Sequence, residues 1–114
     1  MSIEAVHADP IVRQAIVVWR LLIDFAHADA ELLEQARSSA SSAALNFAEA
    51  SGVGGGRARN QMNIARGSAY ECSVACRMLG CAADESIALA RLFDAIAEPA
   101  GGELPSKLQS VAGE

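Results

Sequence analysis

Three features of this sequence predict an all-α fold. Hydrophobic residues make up 52% of it but aromatics only 4%, with alanine dominant and serine frequent; that composition suits closely packed helices, because strands gather β-branched and aromatic side chains. Apolar residues also recur every three or four positions along four segments, which lines up one face of a helix. Between these segments stand helix-starting and helix-stopping residues such as Asp9-Pro10, Asp29, a glycine cluster and Pro99. At 114 residues the chain can enclose one core and no second one, so it reads as a single domain over 1–98 with an N-terminal arm at 1–8. The Gly- and Pro-containing stretch 99–114 reads as a flexible C-terminal tail.

The first helix begins at Asp9-Pro10, a cap followed by proline at the first helical position, and runs to about Ala26. Its stripe is Ile11, Ala15, Val18, Leu22 and Phe25, but Ile16, Val17, Trp19, Leu21 and Ile23 spread apolar surface around most of the girth. A helix of that kind is buried on more than one side, which in so small a chain implies a second subunit. The second helix starts after Asp29 and faces inward with Leu32, Leu33, Ala36, Ala40, Ala43 and Phe47. Gln35, Ser39, Ser42, Asn46 and Glu49 form its polar flank. Its Ser38 to Leu45 stretch, SSASSAAL, offers little bulk, so a neighbouring helix can come close.

ASGVGGGRARNQ, residues 50 to 61, then raises the question of a phosphate-binding loop. Such a loop needs a preceding strand and a following Gly-Lys-Ser/Thr, and neither is present, so the glycines read as a helix-ending hinge. The third helix runs from about Arg57 to Leu79 with Met62, Ala65, Ala69, Cys72, Cys76 and Leu79 on its seam. The fourth, with Asp84 as its cap, carries Ala88, Leu89, Leu92, Phe93 and Ile96 before Pro99.

Cysteine and histidine bound the chemistry. Cys72, Cys76 and Cys81 are too few and too clustered for a secreted disulfide framework. A zinc site would need a fourth ligand from His7 or His27; core packing explains the first two thiols more simply, and a small thiol or metal-binding protein is the alternative reading. A di-iron bundle requires Glu-x-x-His on two helices, whereas the single instance, Glu4 to His7, lies before Pro10. His27 reads as a cation at a helix C-terminus. No catalytic residue, metal ligand or cofactor is assigned. The absence of a long apolar run or signal-peptide pattern predicts a cytoplasmic protein with no membrane association.

Charge is unevenly distributed. The net charge is −5, yet residues 57 to 80 carry four arginines against Glu71. Arg59, Arg66, Tyr70 and Arg77 share one side of the third helix, with Arg57 at its start. Such a row can follow a phosphate backbone or meet an acidic partner, or it can pair with the chain's own carboxylates. Glu71 lies away from the row, beside Ile64, Ser68, Ala75 and Met78; a carboxylate there calls for a partner, with Asn46, Glu49 or a neighbouring subunit's arginine as candidates. Asn46, Glu49, Ser68 and Glu71 are therefore expected to form a structural polar network.

SSAALNFAEASG, a loop with arginine, and IARGSAYECSVACRML together resemble the four-helix-bundle proteins related to those encoded in 23S rRNA intervening sequences. The shared pattern falls on Asn46, Ala48 and Glu49, then Arg57, then Ala65, Gly67, Ser68 and Glu71. It covers residues 38 to 79, with Ala50 where a glycine is usual and a short connection at 27–29. The resemblance implies an antiparallel up-and-down four-helix bundle, homopentameric assembly and no established enzyme activity. Related bundles serve as nucleic-acid-binding accessory partners of reverse transcriptases, through a strongly basic surface that this acidic chain does not share. The expected function is a non-catalytic interaction protein or scaffold, with RNA, DNA or a nucleic-acid enzyme as partner.

Overall fold

The structure is a computed structural model that describes residues 1–96, and it is all-helical over them: α1 (Ile3–Ala8), α2 (Pro10–Ile23), α3 (Ala30–Gly52), α4 (Gly55–Leu79) and α5 (Ala83–Asp94). The expected tail, 99–114, lies outside the described residues. Residues 3–8, expected to be an arm, are instead a short helix. Ser2 caps it by accepting a hydrogen bond from the Ala5 amide, and Glu4 sits favourably in its first turn.

The longer helices pack in a cycle: α2 on α3, α3 on α4, α4 on α5, and α5 back on α2. Hydrogen bonds cross the α3–α4 and α4–α5 seams. Along α3 and α4, Ser42 meets Ser68 and Glu49 meets Gln61, so the two run antiparallel. Between α4 and α5, Arg66 reaches the Phe93 carbonyl and Tyr70 reaches Asp94. Small side chains set the closest seam: Ala36, Ala40 and Ala43 of α3, and Ala65 and Ala69 of α4, are fully buried. Helix axes come together where no side chain props them apart.

The core has two clusters. One joins Ile11, Ala15, Ala43, Phe47, Leu89 and Phe93; the other joins Val18, Leu22, Leu33, Cys72, Cys76 and Leu79. Phe47 and Phe93 meet edge to face with centroids 6.1 Å apart, a favoured aromatic geometry.

Helix ends explain most departures from the sequence reading. Asp9 and Asp29 cap α2 and α3 as expected, each carboxylate accepting a backbone amide. α2 stops at Ile23, three residues early, and Arg37 of α3 donates to the carbonyls of Leu22, Ile23 and Phe25. That guanidinium occupies the C-terminal cation role expected of His27. His27 lies in the following loop, where its Nδ1 accepts from the Asp29 amide and its ring stacks on Phe25.

The glycine cluster does reverse the chain, but through extended backbone at Val53 and Gly54, with positive φ only at Gly55. At the other end of α4, Gly80 takes a left-handed conformation at φ 70° while the amides of Gly80 and Cys81 bond the Cys76 carbonyl. Ala82 is left-handed as well, at φ 58°. α5 therefore begins at Ala83, ahead of Asp84, which stands in its first turn and is not its cap. No helix of the described residues is long and apolar enough to cross a membrane.

Candidate functional site

α4 carries most of the residues singled out by the sequence, with Asn46 and Glu49 on α3, and its sides have different fates. The side toward α5 holds the arginine row. Its middle is occupied: half-buried Arg66 donates from Nη2 to the Phe93 carbonyl at 3.4 Å, and the Tyr70 hydroxyl donates to the Asp94 carboxylate. Both tie α4 to the C-terminal turn of α5. Arg59 and Arg77 are exposed at the two ends of the row. Arg57 is 72% exposed and forms an ion pair with Glu49 at 3.6 Å. The row is thus a partly internal seam flanked by accessible cations.

The side toward α3 holds the polar network. Ser42 and Ser68 share a hydrogen bond of 2.8 Å, and the Asn46 amide donates to both the Ser42 carbonyl and its hydroxyl. Two expected members stand apart. Glu49 lies one turn further along, accepting from Gln61 and facing Arg57. Glu71 is exposed and makes no hydrogen bond or ion pair with another described residue. At 100° per residue, Glu71 is rotated about 60° from Ser68, enough to turn it from the α3 seam toward solvent. Ser42, a polar-flank position in the sequence, is the centre of the network.

The outward side of α4 exposes Ile64, Val74 and Met78, the last two at 58% and 66%. Apolar exposure recurs on α2, where Ile16, Val17, Trp19, Leu21 and Ile23 are all partly open. An apolar groove of about 170 Å³ runs between α2 and α3, walled by Ile16, Trp19, Ala44 and Leu45. Sequence reading found the α2 surplus from its girth but gave Leu45 no role, although that side chain is 69% exposed.

Cys72 and Cys76 are buried in the core as the seam spacing predicts, with their sulfurs 3.8 Å apart. The Cys72 thiol also points to the Ala36 carbonyl at 3.6 Å. Hydrogen bonding from Cys72 lowers the Cys76 thiol to about 7 against the opposing effect of burial, with Ser86 assisting. The same pairing, together with burial, pushes Cys72 up. Half-buried Cys81 stands apart, facing the Leu21 carbonyl at 3.8 Å, and burial raises it. Among the described residues no group of three His, Cys, Asp or Glu side chains is placed to hold a metal ion.

No protein-family model matches this chain, and neither a curated protein nor a solved structure matches it.

Proposed function

We propose that the chain is the subunit of a non-catalytic four-helix bundle that assembles as a homopentamer and presents a repeated surface to nucleic acid or to an enzyme acting on it. The observation that carries this reading is the apolar exposure on two separate helices, five residues of α2 and three of α4. Large apolar side chains left open in that number mark interaction surfaces, since isolated soluble monomers rarely leave large apolar patches exposed. The pentamer number and the nucleic-acid partner rest on the resemblance to the intervening-sequence proteins. The accessible Arg57, Arg59 and Arg77 support the partner class.

Arg66 and Tyr70 serve in this reading as the seam that fixes α5 and thereby orients the row, with Arg59 and Arg77 meeting phosphate. Assembly multiplies a weak contact, because each subunit adds its cations to one continuous ligand. The test is fluorescence anisotropy of a labelled single-stranded RNA titrated with the protein over a range of salt. Binding should weaken steeply as salt rises, because displaced counterions drive it, and should be lost in the Arg59→Glu/Arg77→Glu variant. Binding that ignores both salt and that variant removes the arginine row from the function.

A further inference from the structure

We infer that the second copy of this chain docks head to tail, the outward side of α4 on one subunit seating against α2 and its groove on the next, with Glu71 facing Arg13 and Arg20. The inference rests on the self-assembly proposed above and specifies its interface. α2 and α4 belong to opposite corners of the helix cycle, since each packs on α3 and α5. Their exposed apolar residues therefore point in different directions. A two-fold contact made through one of these sides leaves the other uncovered. A head-to-tail contact covers both with a single kind of interface, and its repetition gives a ring when the rotation from one subunit to the next closes.

Shape and charge agree with that pairing. Ile64, Val74 and Met78 form a ridge on α4, and Ile16, Trp19 and Leu45 wall a groove between α2 and α3. Glu71 is an exposed carboxylate within the ridge. Arg13 and Arg20, one heptad apart and so on one side of α2, are exposed cations beside Ile16 and Val17. None of these three charges makes an ion pair within its own chain among the described residues. An acid set in one apolar surface and two bases set in the other fix which surfaces meet, and in which register.

The experiment uses the full chain and measures mass by light scattering during dilution, with Trp19 fluorescence as a second readout. Trp19 is the single tryptophan and is 38% exposed, so covering it should shift its emission to shorter wavelength. Glu71→Arg should raise the concentration at which the assembly dissociates about tenfold or more, as should Arg13→Glu/Arg20→Glu, because like charges then meet in the contact. Combining all three changes should restore assembly toward that of the unaltered chain. All three positions are exposed, so helix content should hold; circular dichroism checks this. Assembly by the unaltered chain that is indifferent to the single-side variants, or not restored by the combination, overturns the pairing and leaves self-assembly standing. A dimer also overturns it, and a monomeric unaltered chain overturns both.

Discussion

Replacing Phe93 with alanine should cost about 3–5 kcal/mol of folding stability, the range for deleting a buried aromatic side chain. Phe93 is fully buried, and its ring stands edge to face with Phe47. Its cluster also contains Ala15, Ala43, Ala65, Ala69 and Ala90. These alanines have no rotatable side chain with which to fill a vacated space, while Ile11, Phe47 and Leu89 of the same cluster can shift only in part, so a cavity should remain and the loss should fall within that range. The lost aromatic pairing adds roughly 0.5–1.5 kcal/mol to the transfer contribution, although the two overlap in a single substitution. Against a typical domain stability of about 5–15 kcal/mol, this is a large fraction. Urea unfolding followed by circular dichroism at one fixed protein concentration measures it, with Phe93→Leu as the control that retains most of the volume. A loss below about 1.5 kcal/mol for Phe93→Ala would refute the picture of one buried ring whose space its neighbours cannot close. Equal losses for alanine and leucine would refute it too.

Other perturbations probe the turn and the thiols. Ala82→Gly should stabilise the protein by up to about 1 kcal/mol, since glycine relieves a left-handed alanine while adding freedom to the unfolded chain; Gly80→Ala should destabilise by a similar amount, and thermal unfolding of the two variants should move in opposite directions. Thiolate absorbance of the folded protein should rise around pH 7 and lose that step in Cys72→Ala, which has no donor, because the Cys72 hydrogen bond is the main cause of the lowered Cys76 value. The sign for stability follows: a depressed folded pKa adds stability above the unfolded cysteine value of about 8.5, and that contribution is lost as pH falls through the folded value. Relative to Cys76→Ser, the unaltered chain should therefore gain stability as pH rises from about 7 to about 8.5. A gap between the two that is constant over this interval would contradict the lowered thiol.

Much of this architecture was legible because its strongest signals are local. Asp9-Pro10 and Asp29 start helices through contacts within a few residues, and the Cys72/Cys76 spacing places both thiols on the α4 seam. The short helix α1 escaped because it buries no residue and so shows no core-facing stripe. The start of α5 escaped because it depends on an alanine in a conformation that alanine disfavours, which no propensity predicts. Periodicity gave the angular positions of Glu71 and Arg66 but not which neighbour lies at each angle. Glu71 consequently faces solvent, while Arg66 reaches a backbone carbonyl of α5 that only the packed helices bring near. Arg37 is similar: its acceptors at the end of α2 are distant in sequence and are main-chain atoms, which carry no residue-specific signal.

Self-assembly is the central claim, and solution mass tests it most directly. Size-exclusion chromatography with light scattering, over a range of protein and salt concentrations, should give a single species at five times the 11.8 kDa chain mass. It should persist at high salt, because apolar contact supplies most of the association. A species of 11.8 kDa at every concentration would contradict the account, since the apolar surfaces of α2 and α4 would then stand open to water without need of a second copy.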